Sequence, residues 1–244
     1  MAASMSEAIM SDLLRRVPIF ADIPASELDQ VVKMARPLPK RRGARIFEEG
    51  SVPDCCLVLT SGRAKVVLSG ARESEITLGV VEPFSVVGEV GLLDGSLRSA
   101  SLVALDDCQF IRIPAQAFSA LRRNPAFVDK LVTHLASTIR RANDQLRAIH
   151  TFKAEDRVLW SLVRLARQHG VNQGNDLILQ PKPAHQELAE MTGCSRETVT
   201  RALMKLKRGK YLTWDADSVR LNVPALQRRP GGALNDVTEI TRLV

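Results

Sequence analysis

Residues 193–201 read Gly-Cys-Ser-Arg-Glu-Thr-Val-Thr-Arg, and three of their side chains have the chemistry to read a base pair. Arg196 and Arg201 each carry a planar fork of donors that matches the O6 and N7 acceptors of guanine. Glu197 can accept from the N4 amine of cytosine. At this spacing all three fall on the polar side of one helix, within its first two turns. Val199, Leu203 and Leu206 form the opposite, apolar stripe, and Leu188 and Met191 do the same for a short helix over His185–Thr192. Two amphipathic helices joined by a single glycine, Gly193, predict a helix-turn-helix, whose second helix enters the major groove by its N-terminal residues. A helical hairpin with a solvated charged face is the other reading of these residues. Charge favours the first: between Ser195 and Lys210, six Lys and Arg stand against Glu197 alone, a net +5 suited to a phosphate backbone.

A second run, Gly88-Glu-Val-Gly-Leu-Leu-Asp-Gly-Ser-Leu-Arg-Ser-Ala100, has the chemistry of an anion site. Gly88 and Gly91 leave main-chain N–H groups bare, while Arg98 and Ser99 add a guanidinium fork and a hydroxyl for one phosphate. Glu89 is an acceptor suited to a ribose hydroxyl. The competing reading is a glycine-rich surface turn in which Glu89 and Arg98 pair with each other.

The elements that must position these residues follow from pattern. At 244 residues the chain can hold two ordinary domains, and its net charge of +7 points to a polyanionic partner. Short helices are expected over 11–16 and 25–34. Glycine-punctuated apolar runs at 46–47, 56–59, 64–68, 75–78, 101–104 and 110–113 predict an antiparallel sandwich or barrel of around eight strands. Asn124-Pro125 opens a long helix. Its Val128, Val132, Leu135, Ile139, Ala142, Leu146 and Ile149 alternate at four and three, the heptad seam of a two-helix coiled coil. Phe127 and Leu131 are left to dock on the β-rich unit.

A further helix over 154–168 ends at Gly170, and a strand at 177–179 precedes the helix-turn-helix. Strands over 211–213 and 218–223 make a wing. The fold class is α+β, divided into N-terminal helices and a β-roll or jelly roll (1–123), a long dimerisation helix (124–152), a winged helix-turn-helix (153–228) and a flexible tail (229–244).

Several functions are not supported. No apolar run reaches the ~18 residues of a membrane span, and no signal-peptide pattern appears, so a cytoplasmic protein with no membrane partner is expected. Cys55 and Cys56 are adjacent and would point to opposite faces of a strand, Cys108 and Cys194 lie far off, and no CxxC spacing occurs. Buried reduced thiols and no metal are expected. His134, His150, His169 and His185 are scattered, and no Ser-His-Asp grouping, Walker loop or HExxH is present, which argues against an enzyme.

The segment at 88–100 resembles the phosphate-binding cassette of cyclic-nucleotide-binding domains, G-E-aliphatic-small-L, five residues, then R-[ST]-A. Gly88, Glu89, Val90, Gly91, Leu92, Arg98, Ser99 and Ala100 all fit. With a long helix and a winged helix-turn-helix behind it, the chain is similar over about residues 10–225 to the CRP/FNR family of bacterial transcription regulators. That resemblance implies a homodimer formed through the helix around 124–150 and RNA polymerase as a further partner. It implies cyclic AMP or a related cyclic nucleotide held by Gly88, Glu89, Val90, Arg98 and Ser99. It also implies a palindromic double-stranded operator with TGTGA-like half-sites, read by Arg196, Glu197 and Arg201, with Ser195 and Thr198 at phosphates and His185 also at the DNA. The iron–sulfur branch lacks its N-terminal cysteine cluster here, and the haem-sensing branch lacks a histidine in the β-roll. One position departs. Where family members that bind cyclic AMP place Thr-Ser on the long helix, this chain has Ala142-Asn143. Asn143 can still bond a purine edge, but Ala142 cannot. A guanine-based cyclic nucleotide, a cyclic dinucleotide and a ligand-free regulator therefore stay open, as does a regulatory subunit whose C-terminal domain docks protein.

Overall fold

Five consecutive apolar residues, Cys55-Cys-Leu-Val-Leu59, are all buried, which a strand allows only if both of its faces are covered. The computed structural model describes residues 6–70 and 75–229, Ile149 by its backbone alone, and shows how this happens. The chain divides into two compact units, Met1–Arg140 and Arg141–Val244.

The first unit opens with α1 (Glu7–Arg15), a 3-10 turn (Pro18–Phe20) and α2 (Ala25–Met34). Helix α1 starts earlier than expected because the Ser6 hydroxyl accepts from the Ile9 N–H and caps it. Eight strands follow among the described residues, in line with the expected number, although no apolar run marked the first or the sixth: β1 (Arg36–Lys40), β2 (Arg45–Phe47), β3 (Cys55–Ser61), β4 (Ala64–Ser69), β5 (Glu75–Val81), β6 (Ser85–Val87), β7 (Ser101–Ala104) and β8 (Cys108–Pro114). A short α3 (Val90–Asp94) interrupts them, and α4 (Ala115–Leu121) closes the series. They form two antiparallel sheets, β1-β8-β3-β6 and β2-β7-β4-β5. Cys55, Leu57 and Leu59 join Leu102 and Phe110 in one core cluster with residues of both sheets. Cys56 and Val58, on the opposite face, join a second cluster built with α1, α2 and α4.

The long helix α5 (Pro125–Thr151) begins where Asn124 Oδ1 accepts from the N–H groups of Ala126 and Phe127 at 2.9 and 3.3 Å. Phe127 and Leu131 are buried in the second cluster, with Phe127 stacked on Phe20 and edge-on to Phe118. The expected docking of these two residues on the β-rich unit is what is found.

The second unit holds the end of α5, then α6 (Ala154–His169), β9 (Val171–Gln173), β10 (Asp176–Leu179), α7 (His185–Thr192), α8 (Arg196–Arg208), β11 (Leu212–Trp214), β12 (Val219–Asn222) and α9 (Val223–Gln227). The wing belongs to a four-stranded antiparallel sheet, β11-β12-β10-β9, rather than to a two-stranded ribbon. One cluster joins Val158 and Leu162 of α6, Leu188 and Met191 of α7, Val199, Leu203 and Leu206 of α8, and Leu177 and Val219 of the sheet. The apolar stripes of both helices of the motif are thus its contribution to the core.

Two expectations need correction. Cys55, Cys56 and Cys108 are buried free thiols, but Cys194 is only half-buried, its sulfur receiving Arg157 Nη2 at 3.1 Å. The tail expected at 229–244 begins with an anchored residue: Arg229 reaches Glu155 and Asp156 at 2.8 Å each, because both acids lie in the first turn of α6. Residues 230–244 lie outside the described residues. No helix among the described residues is long and apolar enough to cross a membrane.

Candidate functional site

In the first unit Gly88 ends the β6 segment with φ at +83°, a backbone that favours glycine. A Cβ there would come within 2.6 Å of Arg98 Nη1 and 3.2 Å of the Phe47 ring. That space is taken by the guanidinium. Arg98 is 4% exposed. Its Nη1 donates to the Gly88 carbonyl at 2.6 Å and its Nη2 to the Cys55 carbonyl at 2.7 Å. Asp54 lies 3.7 Å from Nη2, and the guanidinium plane covers Phe47 at 4.3 Å. Arg98 Nε is buried with no hydrogen-bond partner among the described residues.

Glu89, 5% exposed, does not pair with Arg98. Its Oε1 lies 3.2 Å from Nε2 of His134, on α5. The surface-turn reading, with Glu89 and Arg98 as partners, is therefore not what the side chains do. Val90 and Ser99 are exposed beside them.

The surrounding titratable groups follow from burial and from these contacts. Burial opposes ionisation of Asp54, but hydrogen bonds from Cys55 and Arg112 outweigh it and hold the carboxyl below its ordinary value. Burial, and then the neighbouring Asp54, push the Cys55 thiol up to about 11. Cys56 is driven further the same way, by burial first and by the Glu89 charge next.

In the second unit Gly193 caps α7 with φ at +61°, which lets the chain reverse within one residue. Ser195 then caps α8, its Oγ accepting from the Thr198 N–H at 3.2 Å and meeting Thr198 Oγ1 at 3.0 Å. Arg196, Glu197 and Arg201 stand exposed on the first two turns of α8. Arg201 Nη2 donates to Thr198 Oγ1 at 3.2 Å, so the hydroxyls and the guanidinium form one surface row. A hydrogen bond from its own main-chain N–H, and then one from the Ser195 hydroxyl, hold the Glu197 carboxyl below its usual value. It remains an acceptor at neutral pH. His185 opens α7, with Nδ1 3.1 Å from Thr200 Oγ1 of α8 and its ring edge-on to Trp214 at 5.4 Å. Lys182 lies over that same Trp214 ring, at 5.6 Å from its centroid.

Residues 38–124 match the model of the cyclic nucleotide-binding domain, and residues 156–229 match that of the Crp-like helix-turn-helix domain. The cyclic AMP receptor protein of Thermus thermophilus is 31% identical over 210 residues, 86% of this chain and 94% of that protein. The chain belongs to the CRP family. A CRP-like cAMP-activated global transcriptional regulator of Mycobacterium tuberculosis is 26% identical over 87% of this chain and 96% of its own. The fold is shared with the c-di-GMP responsive regulator CLP of Xanthomonas campestris, at a TM-score of 0.69 and 20% identity over 81% of this chain and 99% of that one. FixK2 of Bradyrhizobium japonicum has the same TM-score at 17% identity, covering 81% of this chain and 98% of that one.

As a CRP-family member, the protein is a DNA-binding transcription regulator with a nucleotide-sensor domain ahead of its helix-turn-helix. Gly88, Glu89, Val90, Arg98 and Ser99 are brought together in the first unit. Ser195, Arg196, Glu197, Thr198 and Arg201 are brought together in the second, with His185 joined to their helix through Thr200. Asn143, like Ala142, lies on α5 within the second unit and is exposed. Of the heptad seam, Val128, Val132, Ile139 and Leu146 are exposed at 37–61%, whereas Leu135 packs on the β-roll core. His134 is the residue that sequence reasoning passed over. It lies three residues beyond Leu131 on the docking stripe of α5, and that spacing was the available signal.

Proposed function

We propose that the protein is a homodimeric, sequence-specific transcription regulator whose operator affinity is set by a cyclic nucleotide bound at 88–100. Arg98 carries the reading. A buried donor without a partner costs about 1–3 kcal/mol, and a bound anion would give the free Nε an acceptor. In this reading Arg98 and Ser99 hold the cyclic phosphate, Gly88 and Glu89 the ribose, Val90 flanks the ligand, and Asn143 meets the base. Cyclic AMP is the first choice of ligand. No metal is called for and no catalysis is assigned, and the protein works in the cytoplasm where its DNA lies.

The exposed stripe Val128, Val132, Ile139 and Leu146 supports dimerisation through 124–150, since apolar residues at this spacing gain by packing on a second copy. A dimer would set two recognition helices one turn of DNA, ~34 Å, apart on a palindromic operator with TGTGA-like half-sites. Arg196, Glu197 and Arg201 would read bases, with Ser195, Thr198 and His185 at phosphates, and RNA polymerase would be the downstream partner. The ligand acts by preferring one of two arrangements of the dimer, so its effect on DNA equals its difference in affinity for the two.

A second reading has support of its own. Ala142 removes one hydrogen bond that a purine could otherwise make, and CLP, which shares the fold, is named as c-di-GMP responsive. On that reading the effector is a cyclic dinucleotide, or the β-roll binds none. Titrating cyclic AMP and cyclic di-GMP separately against operator binding decides between them. Cyclic AMP should raise operator affinity at least tenfold, an allosteric coupling of about 1.4 kcal/mol. Response to the dinucleotide alone would select the second reading, and response to neither would leave a constitutive regulator.

A further inference from the structure

Helix α5 changes character where it passes the cassette. Phe127 and Leu131 are 0% and 4% exposed and purely apolar, but the next turn presents His134, Ser137 and Thr138, all half-buried and all polar. The Ser137 and Thr138 hydroxyls both donate to the His134 carbonyl, at 2.7 and 3.1 Å. They are tied to their own helix. The imidazole is not: its Nε2 reaches across to Glu89 Oε1. The Glu89 side chain is 7% exposed, so it has little contact with solvent, and His134 is its side-chain partner. This is the carboxylate to which the nucleotide reading gives the ribose hydroxyl.

We propose that His134 is an intramolecular competitor for Glu89, so that a cyclic nucleotide binds by replacing the imidazole with its ribose 2′-hydroxyl and thereby frees this turn of α5 from the cassette. The inference rests on the nucleotide reading above. A buried carboxylate cannot be left unpartnered without cost, so the exchange trades one hydrogen bond for another and the ligand gains little from it directly. What the exchange changes is the helix. His134 is a polar tie between the cassette and the element that carries the exposed Val132 and Ile139 on either side of it. A ligand that takes Glu89 therefore has different affinities for the tied and untied helix, which is the requirement for shifting one toward the other. His134 sets the threshold of the response.

Calorimetry on the full chain with cyclic AMP and 2′-deoxy cyclic AMP tests this. In H134L the competitor is gone and Glu89 is left wanting a donor, so cyclic AMP should bind about 2- to 12-fold tighter, the range of one net hydrogen bond. H134N, too short to reach Glu89, should show the same gain and serves if the leucine variant folds poorly. H134Q keeps a donor at similar reach and should stay near wild type. The 2′-deoxy ligand cannot replace the imidazole, so its affinity should not change in any variant. Operator binding without ligand should rise in H134L and H134N. Unchanged or weaker cyclic AMP binding in H134L and H134N, or an equal gain for the 2′-deoxy ligand, overturns the proposal while the nucleotide site stands. A wild-type protein that binds neither nucleotide overturns both.

Discussion

Arg98 and Arg201 carry the same guanidinium, yet the molecule uses it in opposite ways. Arg98 is 4% exposed, bonded to two main-chain carbonyls and stacked on Phe47. Arg201 stands in solvent on α8, with one hydrogen bond to Thr198, and Arg196 is exposed beside it. The same contrast holds for the two carboxylates: Glu89 is buried against His134, whereas Glu197 is exposed. An exposed charge binds by addition, giving up water and counterions for a phosphate or a base edge, and the surrounding fold need not move. A buried and partnered charge binds by exchange, because each new contact displaces an internal one. On the proposed reading, exchange at the cassette would alter the protein, and addition at α8 would report the result to DNA.

Breaking the buried member should have the largest effect. Arg98→Leu removes a charge-assisted contact of about 1.5–3 kcal/mol and strands the carbonyls of Gly88 and Cys55. Cyclic nucleotide affinity should fall by that amount in calorimetry and the melting temperature should drop, while salt-dependent binding to random duplex stays as in wild type. Equal nucleotide affinity in the variant would end the phosphate role.

On the exposed side, Glu197→Ala should cost ~1–3 kcal/mol on the cognate operator and relax selection at one base pair, with little loss on non-specific DNA. Equal losses on both duplexes would rule out direct readout. Because the Glu197 carboxyl is held below its ordinary 4.5, the readout should persist as pH falls to that value and be lost only on passing through the lowered one. Ser195→Ala is the mildest. It deletes the α8 cap, at ~1 kcal/mol of stability, in a position where solvent can replace the bond. Chemical denaturation followed at the tryptophans, Trp160 and Trp214, both in the second unit, measures it.

Much of this was legible in the chain. Helix α7 was expected at His185–Thr192 and lies there, because Leu188 and Met191 mark its buried side and Gly193 its end. Helix α2 was expected at 25–34, and Ala25–Met34 is what forms. Strand β1 was missed because Pro37 and Pro39 argue against a strand, yet it lies at a sheet edge and pairs with β8 alone. Strand β9 was missed because Val171, Asn172 and Gln173 are all exposed and carry no apolar alternation. The candidate recognition side chains were legible for a simple reason: a helix presents its residues by spacing, and Arg196, Glu197 and Arg201 lie within the first two turns of one helix.

The sequence by itself determined which residues could do chemistry, since both motifs are local and their side chains are placed by helix period and by glycine turns. Tertiary structure alone decided what those side chains do before any ligand arrives. Gly88 and Arg98 are ten residues apart, Cys55 and Arg98 forty-three, and Glu89 and His134 forty-five. No local period relates such positions. Only the packing of β3, β6 and α5 around one core desolvates Arg98 and Glu89 and gives each a partner from a distant part of the chain.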